Sequence, residues 1–80
     1  MKTIFVQIKC DLGQAYQVAA DMVEGVEGVS EVYSISGQYD LMVKVYLDDA
    51  ADIGHFVTEH IQTVAGVKDT FTIIAFKAFA

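Results

Sequence analysis

From Glu31 to Val45 the chain reads as two β-strands folded back on each other, and this hairpin limits the possible folds more than any other segment. β-branched and aromatic residues fill both arms. The middle, Gly37-Gln38-Tyr39-Asp40, holds a glycine suited to a tight reversal. That loop is chemically rich as well. Ser36 brings a hydroxyl, Gln38 an amide, Tyr39 a phenol and Asp40 a carboxylate, beside main-chain N–H groups left bare at Gly37. A plain hairpin needs only the glycine and one polar partner.

The flanking segments fix the order of elements. Residues 2–10 alternate as a strand, with Ile4, Val6 and Ile8 on one face, and Asp11-Leu12-Gly13 marks a turn in which Asp11 is a candidate helix cap. Ala15, Val18, Ala19, Met22 and Val23 have helical spacing over 14–24, and Gly25 and Gly28 end that helix. The hairpin spans 29–47, with Leu41, Val43, Val45 and Leu47 on one face of its second arm. Asp48, Asp49 and Asp52 suit the positive end of a second helix, on which Ile53, Phe56, Val57, Ile61 and Val64 form the apolar side up to Gly66. A last strand is expected from Val67 to about Phe79. The order β-α-β-β-α-β predicts a single α+β domain over residues 1–80 of ferredoxin-like type, a four-stranded antiparallel sheet with two helices on one face.

Such a sheet leaves its other face bare. Phe5, Tyr33, Ile35, Met42, Tyr46, Ile74 and Phe76 occupy the second register, broken by Gln7, Lys9 and Lys44. At 54% hydrophobic residues, this chain holds more apolar surface than a domain of 80 residues can bury alone. Pairing of two copies through the bare face, as a dimeric α+β barrel or sandwich, is the expected outcome. No apolar run approaches the ~20 residues of a membrane span, and the amphipathic start lacks the unbroken apolar core of a secretory signal. The lone Cys10 excludes an internal disulfide and fits a reducing cytoplasm. With eleven acidic residues, five lysines, no arginine and a net charge of −6, direct nucleic-acid binding is not expected.

The stretch Val32-Tyr33-Ser34-Ile35-Ser36-Gly37-Gln38-Tyr39-Asp40-Leu41 resembles the hairpin of the effector-sensing domain of Lrp/AsnC (feast/famine) transcription regulators, strand-[ST]-G-x-[YF]-D-strand. Gly66-Val67-Lys68-Asp69-Thr70-Phe71-Thr72 is similar to the G-V-x-x-T-x-T lead-in to the family's last strand, and the resemblance covers essentially the whole chain. It implies homodimers paired by their sheets that assemble further, from tetramers to octamers or decamers. It also implies a small effector, typically an amino acid, held in clefts between dimers. Carried over by residue, Ser36, Gly37, Gln38, Tyr39 and Asp40 line the cleft, with Thr70, Thr72 and Ile74 approaching from the last strand. Asp40 is then the natural partner of an ammonium group, and Gly37 the place of close main-chain approach. The family's regulators carry an N-terminal helix-turn-helix that this sequence does not show. The resemblance is therefore to the stand-alone form, with transcription reached through partners such as full-length relatives. Gln38 stands where many relatives have an acid, so effector polarity does not carry over.

The dimeric α+β-barrel enzymes, small cofactor-free monooxygenases and isomerases, share this element order and form the alternative. Their chemistry needs an acid or base, for which the candidates are His55, His60 and Cys10. The two histidines lie about 140° apart around one helix, so they do not converge on a metal. Cys10 at a strand end reads as a packed hydrophobe. Asp48, Asp49 and Asp52 lack the spacing of a calcium loop. No cofactor and no metal site are expected. A third possibility is a purely structural module that alters the assembly of relatives without binding any ligand.

Overall fold

The computed structural model describes residues 1–80. Four strands, β1 (Lys2–Cys10), β2 (Val29–Ser34), β3 (Leu41–Leu47) and β4 (Val67–Ala75), form one antiparallel sheet in the order β2-β3-β1-β4. Helix α1 (Ala15–Gly25) connects β1 to β2. Helix α2 (Ile53–Phe56), which continues as a π-helical turn over Val57–Ile61, connects β3 to β4. This is the ferredoxin-like α+β arrangement expected from the element order.

Alternation along the two central strands decides which face is covered. Ile4, Val6, Ile8 and Cys10 of β1 and Leu41, Val43, Val45 and Leu47 of β3 are buried, and they meet Val18 and Met22 of α1 and Val57 and Ile61 of the second helical segment. These twelve residues are the whole buried core, and none is polar. Gly66 pins the two helical units together. It turns the chain at φ +94°, and a Cβ there would lie 2.9 Å from Cγ2 of Val18.

Several boundaries depart from expectation for identifiable reasons. Asp11 does not cap α1. Its main chain accepts from the N–H of Gln14 and donates to the carbonyl of Gly66, and the helix begins after Gln14 without a side-chain cap. Of the three aspartates before α2 only Asp52 caps, its carboxylate accepting from the N–H of His55 at 2.9 Å. Regular helix ends at Ile61, so Val64 packs from a turn rather than from the helix.

The last strand stops at Ala75, and its register is opposite to the expected one. Ile74 pairs with the fully buried Ile4, so it lies on the helix side. Phe71 and Ile73, opposite Gln7 and Phe5, lie on the bare face, and Phe76 falls beyond the strand. The run Ile73-Ile74-Ala75-Phe76 is apolar in both registers, so alternation alone could not choose between them. Only pairing with β1 does. The bare face is therefore made by Phe5, Tyr33, Met42, Tyr46, Phe71 and Ile73, with Lys44 and Glu31 paired across β2 and β3 at 3.5 Å.

Candidate functional site

The β2–β3 connection is closed by a hydrogen bond from the N–H of Ile35 to the carbonyl of Asp40, at 2.9 Å. That leaves Ser36–Tyr39 as a four-residue loop projecting from the end of the sheet. Ser36, Gly37 and Gln38 are exposed, and Tyr39 is half-buried. Gly37 sits at φ +104°, a region that side chains disfavour, and no atom lies within 4 Å of where its Cβ would be. The glycine thus answers a backbone demand and leaves open space above the main chain, as a ligand approaching the peptide would need.

Asp40 anchors this loop. Its N–H donates to the carbonyl of Ile8 at 2.8 Å, extending the β3–β1 ladder by one step. Its Oδ2 accepts from the N–H of Cys10 at 2.7 Å and lies 4.0 Å from Nζ of Lys9. Oδ1 has no partner within the chain and remains available. Tyr39 leans across β1 toward β4, its ring 6.2 Å from that of Phe71.

Thr70 pairs with Ile8 on the far side of β1, at the same end of the sheet as the loop. Two strand spacings separate it from Asp40, about 10 Å. Its Oγ1 accepts from Nε2 of Gln62 at 2.9 Å. Thr72 follows one step down, opposite Val6. Ile74, opposite Ile4, lies a further step away, about 13 Å from Thr70 along the strand. One chain therefore gathers Ser36–Asp40 and Thr70 at one end of the sheet and leaves Ile74 outside the group. The threonines face the helix side, whereas Tyr39 meets Phe71 of the bare face. Two hollows of the chain, about 570 and 470 Å³, are lined by Phe5, Tyr46 and Phe76 and by Leu47, Phe56 and His60, among others, rather than by the loop.

The other titratable candidates have structural explanations. Burial, then the nearby carboxylates of Asp40 and Asp11, push the Cys10 thiol up, away from the reactive thiolate. Nδ1 of His55 faces Glu59 at 3.3 Å, and the ring of His60 packs against Phe56 at 5.5 Å. No helix is long and apolar enough to cross a membrane.

Residues 3–80 match the sequence profile of the Lrp/AsnC ligand binding domain. The chain belongs to the Lrp/AsnC family. An uncharacterized HTH-type transcriptional regulator of Pyrococcus horikoshii is 30% identical to this Lrp/AsnC domain over 73 residues, 91% of the chain and 49% of the regulator. A homocitrate synthase of Sulfolobus acidocaldarius is 36% identical over 72 residues, 90% of the chain but only 15% of the enzyme. Among solved structures, the feast or famine regulatory protein of M. tuberculosis complexed with L-methionine superposes with a TM-score of 0.81 at 26% identity, over 100% of this chain and 53% of that one. The Lrp/AsnC domain thus spans about half the length of such regulators and about a seventh of the synthase.

Two contributors to the neighbourhood of the loop were not picked out from sequence, Phe71 and the main chain of Cys10. The place of Phe71 follows from the pairing of β4 with β1, which alternation within β4 does not settle. A main-chain N–H serving as the anchor of Asp40 leaves no mark in sequence.

Proposed function

We propose that this chain senses a small molecule, most simply an amino acid, and transmits its binding through assembly. The effector binds between dimers against Ser36–Asp40, with Thr70 and Thr72 of the last strand nearby and Ile74 supplied by a neighbouring copy. The observation that carries the reading is the open main chain at Gly37, held at a positive φ in the loop that Asp40 closes with one carboxylate oxygen while the other has no partner in the chain. Exposed N–H and hydroxyl donors suit a carboxylate, and a carboxylate oxygen suits an ammonium group. The methionine complex of the M. tuberculosis relative supports the same effector class.

Assembly is supported by surface area. The chain exposes 5325 Å², where a compact monomer of its mass exposes about 4,800 Å². The exposed tail after β4 contributes to that figure, with Phe76 and Phe79 at 97% and 90%, and the bare sheet face adds Tyr33, Phe71 and Ile73 at 53%, 54% and 40%. Two copies paired there form the dimer, and dimers join around the loops. Transcriptional control, in the cytoplasm, then runs through a partner that contacts DNA, such as a full-length relative. Thermal shifts with the twenty amino acids test the reading.

The match to a homocitrate synthase favours a second reading. A similar segment there is a small part of an enzyme, and on this reading the partner of this chain is a metabolic enzyme rather than a DNA-binding regulator. Co-purification of the chain with one class of partner or the other separates the two.

A further inference from the structure

Charge is divided between the two layers of this domain. Residues 11–28 and 48–66, the helices with their turns, hold eight acidic residues and no lysine. The strands, the hairpin loop and the C-terminal tail hold all five lysines and the other three acids. On this acidic layer α1 carries a second apolar side. Tyr16, Ala20 and Val23 fall within about 60° of one another around the helix, away from the buried Val18 and Met22. Tyr16 is 80% exposed and Val23 63%, and the wholly exposed Leu12 lies just before the helix. The hydroxyl of Tyr16 has no partner in the chain. Single exposed apolar residues are ordinary, but a stripe on the order of 400 Å² along one helix is the size of an interaction site.

We propose that the outer face of α1 docks a basic, apolar-faced helix of another protein. Gln17, Asp21 and Glu24 flank the stripe on one side. Glu24 stands in the last turn of α1, where the helix dipole is negative and no cation balances it. A partner that presents leucine-like side chains between lysines or arginines fills the stripe and supplies that missing charge. A second copy of this chain does not fit. Its own helical layer is acidic, so self-pairing there sets carboxylates against carboxylates, and the stripe is half of what one side of a stable dimer contributes. The sheet face, where Lys44 and Glu31 pair among apolar residues, is left for self-association, so the two faces take different partners. This surface stands whether or not an amino acid binds at the hairpin loop.

The test is amide chemical-shift mapping on the labelled full chain. The probe is a synthetic leucine/lysine amphipathic peptide of about 18 residues, with its leucine/glutamate counterpart as control. The lysine peptide is expected to shift Leu12, Tyr16, Ala20 and Val23, to weaken about tenfold or more from low salt to ~0.5 M, and to leave its counterpart inactive. Y16S combined with V23S should cut its affinity about tenfold with helix content unchanged. Three results overturn the proposal. They are shifts spread equally over Asp48–Asp52 and Glu59, equal binding of the glutamate peptide, and a lower oligomer mass in the double variant, which would show the stripe buried between copies.

Discussion

The main-chain N–H of Cys10 donates to Oδ2 of Asp40 at 2.7 Å, tying the end of the first strand to the residue that closes the hairpin loop thirty positions later. Asp40 therefore holds the loop with one oxygen, and the proposed function assigns the other to the ligand. Substitution separates the roles. Asp40→Asn keeps a carbonyl that accepts from Cys10, and the Lys9 contact at 4.0 Å is exposed enough to be worth ~0–1 kcal/mol, so stability should change little. Effector affinity should still fall about tenfold, because the charge-assisted bond to the ammonium is lost. Asp40→Ala should lose both, with a further ~1–2 kcal/mol of stability from the unpaired N–H. Unfolding curves and calorimetry on the two variants check this. Unchanged affinity in both would confine Asp40 to anchoring.

Gly37→Ala isolates the backbone demand of the loop. At φ +104° with nothing nearby, the methyl meets no clash and costs only conformational strain, ~1–3 kcal/mol. The account expects a lower melting temperature and a loss of effector binding larger than that of stability, read by thermal melts and titration calorimetry.

The register of β4 gives a paired test of the assembly face. Ile73→Lys places a charge beside Phe5 on the bare face and should yield monomers in sedimentation at micromolar concentration. Ile74→Lys, on the helix side opposite Ile4, should leave the dimer intact. The reverse pattern would put the interface on the other face.

Much of this was legible in the sequence. The element order and the core of β1 and β3 follow from alternation and helical spacing, because one register of each strand is apolar throughout and the other is broken by Gln7, Lys9 or Lys44. β4 was not so readable. Ile73-Ile74-Ala75-Phe76 offers both registers, and pairing with Ile4 and Phe5, a long-range fact, selects one. The loop residues Ser36–Asp40 were visible as a polar cluster around a glycine. That Ile74 lies apart from them, and that Phe71 approaches Tyr39, depends on strand order and register together.

Cys10 makes the alkaline limb of stability informative. Burial, then Asp40 and Asp11, raise its pKa above the ordinary value of 9.0. The unfolded chain then loses the thiol proton first. Stability is whole below about pH 9 and falls as pH rises past it toward the folded pKa. In Cys10→Ala the decline should begin only near pH 10 to 10.5. Tyr33, held up by its bond to Glu31, and Lys44, held up first by Tyr46, titrate there or above. Denaturant midpoints between pH 7 and 11 check the difference.

A thermal-shift screen of the twenty amino acids, repeated on Gly37→Ala, tests the central claim most directly. An effector at 100 times its Kd adds about 2.7 kcal/mol, roughly 10–20 °C for a domain of this size. The account predicts that at least one amino acid raises the melting temperature of the wild-type chain and fails to do so in the variant. No shift with any of the twenty, or a shift that survives Gly37→Ala undiminished, would contradict it.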